Sequence, residues 1–220
     1  ILKMTNIEIF IEILKTLPIV FLVYALTAAF SMPLGILGAL GYTSNNKILK
    51  SALSFYTWIF RGTPLMLQLF FVYYGLPLLN IFGYNIALDP LVAAILTFVI
   101  NYSAYLIEII RSGLESIDSG QHEAAKVLGY SYWQKIRYVV LPQGIRRVLP
   151  TLGNEAITLV KDTALIYVLA ITEIMKRTKE LASTYYNITP YICAIIIYLA
   201  LSLIIDRIFK YMEAKNKVRV

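Results

Sequence analysis

The sequence predicts an all-α integral membrane protein. Of its 220 residues, 59% are hydrophobic and only 15% are charged, and a soluble domain of this size cannot bury that much apolar surface. Several uncharged runs are long enough to cross a bilayer as helices. We therefore predict five transmembrane helices in a single domain over residues 1–220.

The chain has few residues that bind metals. Its one cysteine, Cys193, excludes a disulfide framework, and with the single histidine, His122, it supplies too few ligands for a usual zinc site. The sequence also contains no G-x-x-x-x-G-K-[ST] loop that would bind ATP phosphates. We expect no metal or cofactor on this chain, so any ATP hydrolysis requires a partner.

The apolar runs give the elements in chain order. Residues 1–15 alternate apolar and charged side chains and predict an amphipathic helix that anchors on the membrane surface. The five spans are predicted at residues 17–41, 49–79, 88–112, 150–172 and 190–210. The second is broken near residues 61–64, because Pro64 lacks a backbone donor and clashes with the preceding turn. In a bilayer such a break requires protein or a wet cavity to satisfy the freed backbone groups.

The connection over residues 113–149 contains two predicted short helices. The first follows Asp118, which has capping-box spacing to Gln121, and ends at Gly129 in a left-handed conformation. Ser131 and Gln134 repeat the capping-box spacing and open a second helix. Its apolar side is expected to hold Trp133, Ile136, Val139 and Val140. From the residues alone, this segment could also be an ordinary cytoplasmic loop.

Lysine and arginine are concentrated on one predicted side. Residues 111–147 carry six of them, whereas residues 76–89 carry none. By the positive-inside rule the 113–149 connection and the C-terminus are cytoplasmic, while the N-terminus and the loop around residues 80–84 are outside.

Five motifs resemble one family of membrane transporters. They are Arg61-Gly62-Thr63-Pro64-Leu65, Gly120-Gln121-x-Glu123-Ala124-Ala125, Leu128-Gly129, Leu141-Pro142-Gln143 and Lys161-Asp162-Thr163. Together they resemble the EAA-motif permease subunits of bacterial ABC importers, in the polar amino-acid branch. The resemblance implies the type I ABC importer permease fold in the plasma (inner) membrane. It also implies an ATPase-coupling helix formed by Gln121, His122, Glu123, Ala124, Ala125 and Gly129.

The resemblance also implies partners. These are a second permease subunit, identical or a close paralogue, and two copies of an ABC ATPase subunit that binds ATP and magnesium. An extracytoplasmic amino-acid-binding protein would deliver the substrate, which the non-catalytic permease would move by alternating access. Membrane lipid is expected around the chain, and nucleic acid is not.

Polar side chains within the predicted spans form the candidate substrate pathway. Charged groups at bilayer depth normally face a protein interior or a water-filled cavity. The candidates are Arg61, Gln68, Asn101, Tyr105, Glu108, Asn154, Glu155, Thr158, Asp162 and Thr163. Glu108 is the favoured contact, because it shares a narrow helical stripe with Asn101 and Tyr105, while Asp162 could hold Arg61. Alternatively these groups only satisfy one another, with Glu108 pairing with Arg111.

The charges at membrane depth favour a cationic substrate such as arginine, lysine or histidine. Glu108, Glu155 and Asp162 outnumber Arg61 and Lys161, and a cationic side chain would offset this excess. Import of glutamine or another polar amino acid is the alternative within the family. An intramembrane protease or lipid transferase and an ion channel are the alternatives outside it, although no motif for either is recognisable.

Overall fold

The computed structural model describes residues 4–79 and 85–216, which form a bundle of helices. The loop at residues 80–84, which the charge pattern places outside, is not among the described residues. The α-helices are α1 (Asn6–Leu14), α2 (Leu17–Thr43), α3 (Lys47–Gly62), α4 (Leu65–Phe70), α5 (Pro90–Glu115), α6 (Ser119–Val127), α7 (Tyr132–Lys135), α8 (Leu141–Asp162), α9 (Ile174–Tyr185) and α10 (Thr189–Lys215). Phe71–Gly75 and Ile136–Val140 are π-helical, and Leu76–Leu78 and Thr163–Leu169 are 3₁₀-helical.

Three helical stretches of the described chain are long and apolar enough to cross a membrane. They are Asn6–Thr43, Pro90–Glu115 and Thr189–Lys215. The second and fourth predicted spans fall on α3 with α4 and on the end of α8 with the 3₁₀ turn after it. Both are interrupted helices, and their crossing of the membrane stays a prediction.

Helix α5 is the centre of the bundle. In the most apolar part of α5, 61% of the residues are buried, whereas the corresponding shares are 28% in Asn6–Thr43 and 22% in Thr189–Lys215. Glycines let its neighbours approach closely: a Cβ atom at Gly35 of α2 would lie 2.6 Å from Cβ of Leu106. A Cβ atom at Gly113 would lie 2.6 Å from the carbonyl oxygen of Gly144 on α8. Small residues at these crossings are typical of helix packing in membranes.

The N-terminal helix α1 packs against other helices. Ile9 and Ile13 are 1% and 0% exposed and lie in one hydrophobic cluster with residues of α9 and α10. Arg177 of α9 adds an ion pair of 2.6 Å to Glu12. Two isoleucines spaced four residues apart thus give α1 a side that buries against protein, and its role as an anchor on the membrane surface stays a prediction.

The break in the second predicted span is confirmed. Helix α3 ends at Gly62 and α4 begins at Leu65, with extended backbone between them. The side-chain amide of Gln68 donates through Nε2 to the carbonyl oxygen of Phe60 at 3.0 Å and to that of Thr63 at 3.1 Å. Asn101 of α5 also donates to the Phe60 carbonyl, at 2.9 Å. Protein side chains thus satisfy the carbonyl groups that the break frees.

The segment after α5 matches the predicted helix, glycine and helix. Gly129 has φ +75°, the left-handed conformation that ends α6. The Asp118 side chain caps α6 by accepting the N–H of Gly120 at 2.7 Å. In a capping box the Gln121 side chain would accept the backbone N–H of Asp118. Instead, its side-chain oxygen accepts from the Gln143 side chain of α8 at 3.1 Å, which ties α6 to that helix.

The second short helix differs from prediction at one residue. Its capping box between Ser131 and Gln134 forms, and Ile136 and Val140 are buried as expected. Trp133 is 69% exposed, however, and is not part of the cluster that contains Ile136. It lies in the first turn of α7, one turn before Ile136, and helical spacing alone did not predict that this turn is left uncovered.

Candidate functional site

A cavity of about 510 Å³ lies between the break in the second predicted span, α5 and α8. Its polar lining comes from Arg61, Thr63, Asn101, Tyr102, Tyr105, Glu155, Thr158 and Asp162. The break opens the backbone on one wall, while α5 and α8 present their polar stripes from two other sides. Six of the ten predicted pathway residues meet here, namely Arg61, Asn101, Tyr105, Glu155, Thr158 and Asp162.

The other four predicted residues do not line this cavity. Gln68 supports the helix break, as described above. Thr163 is fully buried and donates to the carbonyl oxygen of Val160 at 2.7 Å. Asn154 is exposed, and its backbone carbonyl accepts from Thr158. These side chains were assigned by span and motif, and helical phase or local bonding takes them away from the cavity.

Glu108, the favoured substrate contact, is the fourth; it lies outside the lining of this cavity, and its contact with substrate stays a prediction. Its carboxylate lies 2.6 Å from Arg111 and accepts from Thr57 at 3.1 Å. Arg61 lies 3.9 Å from the same carboxylate, so the pair expected between Arg61 and Asp162 is replaced by one with Glu108. The group therefore joins α3 and α5, which agrees with the alternative that Glu108 pairs with Arg111.

Two carboxylates of α8 face the cavity instead. Tyr102 donates its hydroxyl to Asp162 at 2.7 Å. Within the described residues neither Glu155 nor Asp162 forms an ion pair. Tyr102 was not among the predicted pathway residues, although it shares a helical side with Tyr105, three residues later.

Lys161 does not neutralise these carboxylates from inside the cavity. It lines a separate apolar groove of about 400 Å³, together with Tyr198 and residues of α9 and α10. The charged side chains of the cavity are therefore the Arg61 guanidinium and the carboxylates of Glu155 and Asp162. The guanidinium also lies over the ring of Tyr105, at 5.7 Å from its centroid.

The predicted coupling helix presents an exposed edge. Glu123 and Ala124 are exposed, whereas Ala125 is 2% exposed and packs inward, away from any partner. The edge continues into Val127 and Leu128, which are 88% and 71% exposed. Neither residue was predicted as part of the coupling surface, although Leu128 belongs to a family motif and an apolar pair directly before a helix-ending glycine was a visible signal.

Residues 31–218 match the model of a protein family described as binding-protein-dependent transport system inner membrane component. The chain belongs to this family. The permease is 39% identical to an arginine transport system permease protein of Bacillus subtilis (strain 168), over 93% of this chain and 92% of that protein. It is 33% identical to a glutamine transport system permease protein of Escherichia coli (strain K12), over 86% of each chain. An L-cystine transport system permease protein of Bacillus subtilis (strain 168) is 35% identical, over 93% and 88%.

Solved structures agree with this assignment. The permease superposes on a chain of an amino acid ABC transporter crystallised with histidines, with a TM-score of 0.79, 34% identity and 94% coverage of each chain. A methionine ABC transporter gives a TM-score of 0.74 at 20% identity, over 94% of each chain, and supports the fold alone. The protein has the type I ABC importer permease fold and is a multi-pass inner-membrane protein.

These findings define the class of activity. The protein is the permease subunit of an ABC importer of amino acids, and it is not an enzyme, because ATP is hydrolysed by a separate subunit. The protease, lipid transferase and channel alternatives are thereby set aside. The family further implies an ATPase, a binding protein and a second permease subunit as partners.

Proposed function

We propose that this permease imports cationic amino acids, such as arginine, lysine or histidine, through the cavity beside Arg61. The observation that carries the proposal is the charge of the lining. One guanidinium faces two carboxylates, Glu155 and Asp162, that have no ion-pair partner in the described chain. A zwitterion bound there satisfies one charge of each sign, and a cationic side chain satisfies the remaining carboxylate.

Each lining group then has a chemical role. Arg61 binds the substrate carboxylate, for which a planar guanidinium is suited. Glu155 and Asp162 accept bonds from the ammonium group and the side-chain cation, and Tyr102 holds Asp162 in position. Asn101, Tyr105 and Thr158 supply neutral polar contacts. Ion pairing is stronger in a cavity of low dielectric constant than in water, so unmatched substrates are penalised.

The proposal extends to the assembly. Two permease subunits, the same chain or close paralogues, would associate with two ATPase subunits that bind ATP and magnesium. The N-terminus would lie outside and the C-terminus in the cytoplasm, as the distribution of lysine and arginine predicts. The exposed edge of α6, from Glu123 to Leu128, would contact the ATPase and transmit its movement to α8 through the bond between Gln121 and Gln143.

Competition uptake tests the substrate. Vesicles that contain the permease and its ATPase are given labelled arginine with a panel of unlabelled amino acids. We expect lysine, histidine or arginine to compete well and glutamate to compete poorly. Preferred uptake of glutamate would contradict a cavity with two free carboxylates.

Import of a neutral polar amino acid is the second candidate. Similarity to glutamine and cystine permeases, at 33% and 35% identity, favours it nearly as much as the arginine permease favours a cation. Stronger competition by glutamine than by arginine in the same assay would select this candidate.

A further inference from the structure

The helix that follows the coupling helix has an outward side which the transport function leaves unused. Ile136 and Val140 bury its inner side, at 5% and 2% exposure. Trp133 and Tyr138, five residues apart on this segment, are 69% and 62% exposed. Exposure of two large aromatic side chains to water is unfavourable, so this segment is a candidate binding surface.

Basic side chains accompany these aromatic rings. The ammonium group of Lys135 lies 5.7 Å from the ring centroid of Tyr132, and the guanidinium of Arg137 lies 5.8 Å from that of Tyr138. Between Glu123 and Glu155 the sequence holds five lysine and arginine residues and no acidic residue. This surface therefore complements a negatively charged partner.

A hydrogen bond places this surface beside the end of a membrane helix. The hydroxyl of Tyr132 lies 2.7 Å from that of Thr43, the last residue of α2. Ile136 packs in the same cluster as Ala39 and Leu40 of α2. Since the first predicted span covers residues 17–41 and ends two residues before Thr43, we expect this surface near the level of the lipid headgroups.

We propose that Tyr132, Trp133, Lys135, Arg137 and Tyr138, here called the basic aromatic surface, bind anionic phospholipid headgroups. Tryptophan and tyrosine concentrate at the lipid headgroup level, and lysine and arginine beside them attract anionic lipid. A protein partner such as the ATPase is the other possible occupant. The bond to the end of α2 favours lipid, because it holds the surface at membrane level. The proposal rests on the proposed orientation only for which leaflet is contacted.

Contact with lipid would have a mechanical consequence. The surface begins three residues after Gly129, the left-handed residue that follows α6. Lipid bound there would fix one end of the coupling segment relative to the membrane, so that movement of α6 is passed to α8 rather than lost in rotation of α7.

Trp133 itself can report the contact. The chain has two tryptophans, Trp58 and Trp133, so Trp58→Phe leaves one reporter. The permease is produced with 5-hydroxytryptophan, which is excited selectively when the separately produced ATPase is present. The full chain is placed in nanodiscs that contain either phosphatidylglycerol or phosphatidylcholine with brominated acyl chains, at equal mole fraction.

We expect brominated phosphatidylglycerol to quench Trp133 more strongly, by about twofold or more, because the basic residues enrich anionic lipid around it. Lys135→Gln with Arg137→Gln should make the two lipids equal. Lys47→Gln with Lys50→Gln removes the same charge from the first turn of α3 and should preserve the difference.

Three results would overturn the proposal. Equal quenching by both lipids in the unmodified surface would show no anionic preference. Absence of quenching by either lipid would place Trp133 in water. Loss of quenching when the ATPase is added would assign the surface to the ATPase. The measurement requires no transport, so its failure is separate from a failure of the uptake assay.

Discussion

At the scale of single residues, the carboxylates of this permease differ in what satisfies them. Glu108 is held by Arg111 at 2.6 Å and by Thr57 at 3.1 Å, and it joins two helices. Glu155 faces the cavity without an ion pair in the described chain. Charge removal at these positions should therefore have different effects on uptake.

The first prediction compares these carboxylates. Glu155→Gln keeps the size and hydrogen-bonding capacity of the side chain, and we expect it to reduce uptake of arginine more than uptake of glutamine. Loss of one charge-assisted bond of about 1.5–3 kcal/mol corresponds to about ten- to a hundredfold. Asp162→Asn should act in the same direction. Uptake of both labelled amino acids in vesicles that contain the ATPase is the measurement.

Glu108→Gln is the matched control. It removes the same charge from a group that lies outside the cavity lining, so we expect lower stability and an equal reduction for both substrates. A selective loss of arginine uptake in Glu108→Gln, with Glu155→Gln unaffected, would return Glu108 to the substrate site.

Residue types at membrane depth were predictable from the sequence, but their partners were only partly so. A helical stripe placed Asn101 and Tyr105 correctly at the cavity, because angular position follows from spacing alone. The pairing of Arg61 with Glu108 depends on how α3 is cut off at Gly62 and how it crosses α5. The spacing of residues along one helix does not determine the angle or the position at which two helices cross.

At the scale of elements, the coupling segment depends on one backbone conformation. Gly129 adopts φ +75°, which a β-branched residue resists strongly. We predict that Gly129→Val inserts normally but loses coupling to the ATPase, because α6 and α7 can no longer meet at the same angle. Glu123→Lys should also lose coupling, by presenting the wrong charge to the partner.

Copurification of the ATPase and substrate-stimulated ATP hydrolysis measure this coupling. Gly129→Asn is a suitable control, since asparagine tolerates the left-handed region and should keep much of the activity. If Gly129→Val and Glu123→Lys both retain the ATPase and its stimulation, α6 is only a connecting loop.

A buried acid, Glu173, caps the start of helix α9 and lies outside the predicted spans. Glu173 is 0% exposed, and its carboxylate oxygens accept the N–H groups of Met175 at 2.6 Å and Lys176 at 2.7 Å. Burial raises the pKa of Glu173 from its ordinary value of 4.5 to about 7, against the opposing effect of these bonds. The folded protein therefore holds a proton that the unfolded chain has released between these two pH values.

This linkage gives a pH prediction. Because the folded pKa is the higher one, the contribution of Glu173 to stability is fully present below about pH 4.5 and is lost as the pH rises through about 7. We expect the thermal unfolding midpoint in nanodiscs to fall by a few degrees between about pH 5 and about pH 7.5. Glu173→Gln should remove this part of the slope. An identical slope in that variant would show that Glu173 does not titrate in this range.

Element boundaries followed from local chemistry, whereas element surroundings did not. The left-handed glycine, the break at Pro64 and the Ser131 cap were all predictable, since each depends on a few neighbouring residues. The packing of α1 on α9 was not, because Ile9 and Ile13 show an apolar side without showing what covers it. For Trp133 the error was the opposite one: its apolar side chain was predicted to pack, but it is exposed.

At the scale of the whole molecule, the fold was predictable because the bilayer limits the choices. Apolar runs of sufficient length must be helices, and motifs in a fixed order identified the family before any contact was known. Orientation is a separate matter, since it depends on the distribution of lysine and arginine rather than on packing. That distribution predicts α6 in the cytoplasm, and the one predicted span between α6 and α9 then places α9 outside.

Labelling of single cysteines tests the orientation. In a Cys193→Ser background, Lys126→Cys on α6 and Asn187→Cys after α9 place thiols at exposed positions on the two predicted sides. An impermeant thiol reagent applied to intact cells should label Asn187→Cys and spare Lys126→Cys. Permeabilised cells that contain the permease without its ATPase should give labelling at both, which controls for access.

Labelling of Lys126→Cys alone in intact cells would invert the orientation and move the proposed ATPase contact to the wrong side of the membrane. Labelling of both would mean that an odd number of spans does not separate α6 from α9, and the assignment of α8 with its 3₁₀ turn as a span would fail.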